Sequence, residues 1–254
     1  MNLSGNTILI TGGSNGIGLA LARKFVELGN EVIITGRTQE RLDAAVKAEP
    51  KLKTFRGHAG EPKSIAELAK EMKTKYPKLN VLINNAGVMV YRNLAVQDPD
   101  LESLTSEIET NLCGPVRTTS ALIDLLKANK GTIINVSSGL AFVPLTAAPI
   151  YCATKAALHS YTITLRQQLR DHGVEVIELA PPAVRTDLAK APEGPGVTVI
   201  STDELVAATI KGLKKGSSEI CVGQSAQLRM MNRLAPGFIQ GQLEKGSKAL
   251  IPAA

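Results

Sequence analysis

The sequence predicts an α/β fold in which a parallel sheet of seven strands is covered by helices on both faces. Three observations carry that prediction. Short apolar, β-branched runs alternate with stretches of helical periodicity along the whole chain. Parallel neighbours need a crossover, and helical crossovers cover both faces of a sheet. The strands read as nearly continuous apolar runs, the pattern of strands buried on both sides.

The first strand is expected over residues 7–11, running into a glycine loop, and a helix over 16–28 starts on the last glycines of that loop. Strand 31–35 and helix 39–47 follow, then strand 52–55 and helix 62–75. Strand 81–84 leads to one long helix over 100–127, and strand 131–137 to a helix over 149–171. Pro149 suits the start of that helix, where a missing N–H costs nothing. Strand 174–179, helix 202–214 and strand 219–222 complete the alternation. No repeat, low-complexity tract or linker divides the 254 residues, so residues 1–254 are expected to form one domain. Residues 183–200, with Pro192, Gly194, Pro195 and Gly196, read as a long mobile loop, and 187–200 as a candidate substrate lid.

Composition excludes several classes. At 44% hydrophobic and 20% charged residues, the chain is neither disordered nor fibrous. The net charge of +6 is scattered among acids rather than gathered in a patch, which argues against nucleic acid as a partner; part of it can help attract an anionic cofactor. Cys113, Cys152 and Cys221 include no Cys-x-x-Cys pair, so neither a disulfide framework nor a zinc site is expected, and a reducing, cytoplasmic setting is. No apolar run is long enough for a membrane span, and 7–11 is too short for a secretory leader.

The first strand is followed by Thr11-Gly12-Gly13-Ser14-Asn15-Gly16-Ile17-Gly18 and an amphipathic helix. Glycines there let the backbone turn sharply and approach a pyrophosphate, which the free N–H groups of a helix N-terminus favour. The spacing is neither Gly-x-Gly-x-x-Gly nor an ATP-type P-loop. On the loop alone, a structural turn and a methyltransferase-type nucleoside site stay open. The second strand ends in Thr35-Gly36-Arg37, where an acid would bind the ribose hydroxyls of NAD. Arginine can instead pair with a 2′-phosphate, which favours NADP(H) over NAD(H).

Tyr151 and Lys155 lie four apart on an expected helix and share a face. A neighbouring ammonium favours the phenolate, which makes the pair a plausible acid/base unit. Upstream, Ser137-Ser138 ends a strand at the carboxyl edge, where open α/β sheets place ligands, and a hydroxyl there can hydrogen-bond a carbonyl. Singly, these residues read rather as an ordinary helix-surface pair and a turn serine; together, downstream of a phosphate loop, they point to a site.

The ordered set of the glycine loop, Asn84-Asn85-Ala86-Gly87, Asn111, Ser138 and Tyr151-x-x-x-Lys155 resembles the short-chain dehydrogenase/reductase family over essentially the whole chain. The resemblance implies a single-domain, doubly wound Rossmann fold and an NADPH-dependent carbonyl reductase or alcohol dehydrogenase. In that family's terms Tyr151 protonates the carbonyl oxygen, Lys155 binds the nicotinamide ribose and lowers the tyrosine pKa, Ser138 orients the carbonyl, and Asn111 holds a proton-relaying water. Cofactor contacts are implied for Gly12, Ser14, Asn15, Gly16, Ile17, Gly18, Arg37, Asn85, Ala86, Gly87, Pro181, Val184 and Thr186. The family's adenine-side aspartate is replaced by Gly57-His58-Ala59-Gly60, so His58 or Ala59 is expected to take its place. The usual Pro-Gly is Pro181-Pro182 here.

The competing reading is a non-catalytic NADP(H)-binding sensor or scaffold, against which the intact Ser, Tyr and Lys set argues. His58, His159 and His172 form no motif, and structural or surface roles are expected for His159 and His172. No Cys/His cluster has metal spacing, so no metal is expected. Leu140, Phe142, Val143, Leu145, Pro182 and Leu188 are the expected pocket lining, which suits an apolar or mixed ketone or alcohol. The resemblance implies a homodimer or homotetramer built on the long helices and the last strand. The tail, with Leu228, Met230, Met231, Leu234, Phe238 and Ile239, is apolar enough to cover a neighbour or its own core.

Overall fold

The computed structural model describes residues 1–96, 100–186, 188 and 198–252. Seven strands, β1 (Thr7–Ile10), β2 (Glu31–Gly36), β3 (Lys53–Arg56), β4 (Leu79–Asn84), β5 (Thr132–Val136), β6 (Glu175–Ala180) and β7 (Glu219–Cys221), form one sheet in the order β3-β2-β1-β4-β5-β6-β7. Every pairing is parallel. The expected doubly wound α/β architecture is therefore the observed one. The strand order reverses between β1 and β4, and such a reversal opens a crevice at the carboxyl ends of the strands.

The helices are α1 (Gly16–Glu27), α2 (Gln39–Ala48), α3 (Pro62–Lys75), α4 (Leu101–Ile108), α5 (Gly114–Ala128), α6 (Pro149–Leu169), α7 (Thr202–Lys214), α8 (Gln224–Leu234) and α9 (Pro236–Ser247). The pleat of each strand feeds two cores. Ile8 and Ile10 of β1 pack with Leu21 and Phe25 of α1 and Leu205 of α7 on one face. Leu9 packs with Met72 of α3, Leu122 and Leu126 of α5 and Leu165 of α6 on the other. Burying each such side chain is worth about 1.5–3 kcal/mol. The two layers thus hold the strand ends, and the loops on them, in fixed register.

The structure overturns one expectation and adds detail at two further places. The continuous helix over 100–127 is interrupted by a π-helical turn at Glu109–Cys113. Pro115 explains it: it has no N–H to give the carbonyl of Asn111, and its ring would crowd that carbonyl, so the backbone widens and Gly114 N–H donates to Glu109 O. The apolar tail, left without a structure, folds as α8 and α9, and α8 seats Ser225 so tightly against Gly139 that a Cβ there would lie 2.6 Å from Ser225 Oγ. The loop over 183–200 is anchored at both ends, where Val184 bridges Ile200, Arg185 N–H donates to Ile200 O (3.0 Å) and Ile200 N–H donates to Ala183 O (3.0 Å). Most of the candidate lid, residues 187 and 189–197, lies outside the described residues.

Candidate active site

The glycine loop is braced from two sides. Gly12 N–H donates to Thr35 Oγ1 (3.3 Å) and Gly13 N–H to Thr35 O (2.9 Å), tying it to β2. Asn85 Nδ2 donates to Thr11 O and Gly12 O, each at 3.0 Å, and Thr11 Oγ1 accepts from the N–H groups of Asn85 and Ala86, each at 3.1 Å. Asn84–Gly87, at the carboxyl end of β4, is thus a scaffold for the loop. Gly12 (φ +64°) could not carry a side chain, since a Cβ would lie 2.8 Å from Ala86 Cα. Gly16 also has positive φ (+55°), and Asn15 caps α1, its side-chain oxygen accepting from Gly16 N–H (2.7 Å). Ser14 faces Gly36 at the end of β2, and Thr186 reaches back to Gly16, where a Cβ would meet its methyl at 3.3 Å. Ile17 is half-buried and packs on the α1 core layer, while Gly18 lets the first turn of α1 close on Gly12 and Asn85.

Ser138, Tyr151, Lys155 and Asn111 converge, and all are buried. Ser138 follows β5 and caps a 3-10 turn, its Oγ accepting from Leu140 N–H (3.1 Å), and it lies near enough to the Tyr151 hydroxyl to favour the phenolate. Lys155 Nζ donates to Val136 O (2.9 Å) and lies 5.6 Å from the centroid of the Tyr151 ring. The π-turn aims Asn111 at the segment after β4: Oδ1 accepts from Val88 N–H (2.8 Å), and Nδ2 donates to Val88 O (2.8 Å) and to Thr154 Oγ1 (3.1 Å). Gly87 sits between Asn111 and Lys155, within 3.4 and 3.7 Å of where its Cβ would stand.

Burial dominates the electrostatics. It pushes the Tyr151 phenol above its ordinary value, the Ser138 hydrogen bond opposing and the charges of Cys152 and Glu107 adding. It lowers Lys155 to about 8. Without a cofactor, then, the lysine charge does not overcome desolvation of the phenol, and Tyr151 carries its proton at neutral pH. Glu107 of α4 was not singled out in the sequence. It is fully buried, its Oε1 accepts from Val90 N–H (3.2 Å), and desolvation raises its pKa.

Around the phenol, Ala148, Tyr151 and Cys152 pack with Met89, Tyr91, Leu140 and Leu145. Leu140 and Leu145 were expected; Met89 and Tyr91 come from the segment after β4 and carry no local signal. Phe142 turns away, its ring meeting His159 edge-on (5.1 Å) and Arg229 (5.7 Å). Val143 is fully buried, Pro182 touches the position of a Cβ on Gly223 (3.9 Å), and Leu188 is exposed.

At the far end, Arg37 is exposed immediately after β2. Beside it on β3, missed in the sequence, is Arg56, which pairs in register with Gly36 and whose Nε donates to Arg37 O at 3.4 Å. Neither arginine has a carboxylate partner among the described residues. His58 and Ala59 line a small hollow with Thr11, Thr35, Gly57 and Thr118, the His58 Nδ1 accepting from Gly60 N–H (3.1 Å). Pro181 O accepts from Gly139 N–H (2.9 Å), and Val184 is buried in the α1 core layer. His159 pairs with Glu178, and His172 is exposed. Among the described residues, no group of three or more His, Cys, Asp or Glu is placed to hold a metal ion, and no helix is long and apolar enough to cross a membrane.

Comparison with known proteins agrees with this geometry. A family model described as short chain dehydrogenase matches residues 6–194. The chain is 45% identical over 224 residues to the uncharacterized oxidoreductase DltE of Bacillus subtilis (strain 168), covering 87% of this chain and 89% of that protein. It is 37% identical over 189 residues to the NADPH-dependent 1-acyldihydroxyacetone phosphate reductase of Schizosaccharomyces pombe, covering 74% of this chain and 62% of that protein. A short chain dehydrogenase from Burkholderia cenocepacia J2315, solved in complex with NADP, superposes with a TM-score of 0.84 at 27% identity, over 96% of this chain and 99% of that one. The chain belongs to the short-chain dehydrogenase/reductase family of oxidoreductases.

Proposed function

We propose that this protein is an NADPH-dependent carbonyl reductase or alcohol dehydrogenase that works as one domain, with Tyr151 as its acid/base. The observation that carries the reading is the buried convergence of Ser138 and Tyr151 in an apolar surround, with Lys155 and Asn111 closing on Gly87 behind them. The residues fit a pyridine dinucleotide. The glycine loop presents the N-terminus of α1 with two glycines at positive φ, which suits a pyrophosphate. Arg37 and Arg56, without acidic partners among the described residues, suit a 2′-phosphate. The family relatives that carry NADP or NADPH in their names agree.

NADPH, when bound, supplies the hydride. The chain supplies the rest. Ser138 orients the carbonyl oxygen towards Tyr151, and Tyr151, kept protonated by burial, donates its proton to that oxygen. Lys155, mostly charged at neutral pH with a pKa of about 8, lies against the ring and stabilises the phenolate that remains. Asn111 is placed to hold a water that returns a proton through Lys155: its side-chain amide is committed to Val88 and Thr154, and its carbonyl lacks the usual helical donor because Pro115 follows four residues on. Met89, Tyr91, Leu140 and Leu145 favour an apolar or mixed ketone over a polyanion. The exposed apolar side chains Leu101 and Ile108 on α4 and Val116 in the first turn of α5 support a homodimer or homotetramer.

The test is to follow NADPH and NADH absorbance with a panel of aliphatic and aryl ketones, measuring cofactor binding in parallel. Turnover with NADPH preferred is the expected result. Tight NADPH binding with no turnover on any ketone would favour a sensor or scaffold instead, and no binding of either cofactor would remove both readings.

A further inference from the structure

One buried carboxylate joins the two elements that carry the reacting groups. Glu178 stands in the middle of β6, 2% exposed, in the otherwise apolar run Val176-Ile177-Glu178-Leu179-Ala180. Its Oε1 accepts from Ser137 Oγ (2.5 Å), and its Oε2 lies 2.7 Å from His159 Nδ1. Ser137 directly precedes Ser138, and its backbone N–H is already tied to Leu179 O (2.8 Å). His159 lies on α6 one turn beyond Lys155 and two beyond Tyr151, on the same side of the helix. The same imidazole holds the edge of Phe142, in the segment from which Leu140 and Leu145 pack on Tyr151. Each oxygen of Glu178 therefore holds one of the two pieces whose separation sets the Ser138–Tyr151 contact.

The fold does not need a charge here. Val176, two residues earlier on the same face of β6, shows what this layer accepts, and an apolar residue would avoid desolvating a carboxylate. We propose that Glu178 is a positioning residue for the reaction: it sets α6 and the end of β5 relative to one another, so that the approach of Ser138 to Tyr151 depends on it, with His159 and Ser137 as its two grips. This rests on the reductase reading above. The charged and titratable groups around His159 are Glu178 on β6, Glu219 and Cys221 on β7, and Arg229 on α8; Arg229 pairs with Glu219, which Arg166 of α6 also approaches at 4.0 Å. The Glu178 hydrogen bond raises the His159 pKa above its ordinary value, against partial burial.

Replacing the carboxylate by its amide separates positioning from filling space. In Glu178→Gln the oxygen still accepts from Ser137, while the new NH2 faces His159 Nδ1. That contact is a hydrogen bond when the imidazole is neutral and a clash of two donors when it is protonated. The variant should therefore hold the site at high pH and release it at low pH. Expected are a kcat within about twofold of wild type at pH 8.5 and about 10- to 100-fold lower at pH 5.5, the effect of a misplacement near 1 Å. The dissociation constant for NADPH, measured by fluorescence at both pH values, should stay at its wild-type level and shows that the variant is folded. His159→Gln in the Glu178→Gln background, which offers a neutral amide at every pH, should abolish the pH dependence. Crystal structures of Glu178→Gln at the two pH values supply the arm that needs no substrate: the distance between the Ser138 and Tyr151 hydroxyls should match wild type at pH 8.5 and be longer at pH 5.5. A kcat ratio to wild type that does not change with pH would overturn the proposal, and so would a Ser138–Tyr151 distance unchanged from wild type at pH 5.5. Failure of the wild type to reduce any ketone would instead count against the reductase reading, and the crystallographic arm would still decide this one.

Discussion

Lys155 Nζ is hydrogen-bonded to the backbone carbonyl of Val136, at 2.9 Å, and lies beneath the Tyr151 ring rather than free in solvent. A lysine held this way keeps its place when the site is empty, but its charge is desolvated, which is why its pKa falls to about 8. The folded state then binds the proton less tightly than the unfolded chain, whose lysine titrates near 10.4. Between those values the unfolded state carries more protons, so this group's contribution to stability rises with pH through that window and is unfavourable below it.

Lys155→Met is accordingly expected to be inactive yet more stable than wild type at pH 7, by at most about 3 kcal/mol. The gap in thermal midpoint should narrow as pH rises from 8 towards 10. Thermal unfolding of both proteins across that range checks it, and a gap that stays constant would mean that Lys155 is not desolvated as the structure has it.

Arg37 and Arg56 make cofactor choice separable from catalysis. Removing one guanidinium from a charge-assisted pair should weaken NADPH binding by about 1.5–3 kcal/mol, roughly 10- to 100-fold, and leave NADH binding unchanged. Titration of Arg37→Ala with both cofactors reads this directly, with a smaller loss of the same kind expected for Arg56→Ala. Equal weakening for the two cofactors would place these arginines outside the 2′-phosphate site.

The glycine loop tolerates no bulk. Gly12→Ala combines a positive φ with a Cβ driven to 2.8 Å from the Ala86 backbone, so a stability loss of about 1–3 kcal/mol and a loss of NADPH binding are expected. Gly241→Ala on α9, where a Cβ meets nothing within 4 Å, should be neutral or stabilising by up to about 1 kcal/mol. Denaturant unfolding of the two variants beside wild type tests the contrast.

Features that sit on a single element were legible before the structure. The seven strands announce themselves as apolar runs, and Tyr151 and Lys155 share a helix face, so their spacing alone brings them together. Contacts that depend on register between elements were not legible. Glu178 reads as an anomaly in an apolar strand until β6 is set beside β5 and under α6, where Ser137 and His159 take up its two oxygens. Arg56 has meaning only once β3 places it opposite Gly36. The π-turn at Asn111 was in principle readable, since Pro115 inside a helical pattern signals a lost hydrogen bond, but propensity over 100–127 masked it. Helices α8 and α9 were hidden because Met230, Leu234 and Phe238 remain largely exposed, which leaves only a narrow buried face at Ser225 and Leu228.

The central claim is that the Tyr151 hydroxyl moves the proton, and Tyr151→Phe removes that oxygen while leaving the ring against Lys155. Single-turnover reduction of a ketone by bound NADPH should slow by about 10²- to 10⁴-fold in this variant, with the NADPH dissociation constant unchanged. A Tyr151→Phe protein that oxidises NADPH with ketone at the wild-type rate would contradict the account.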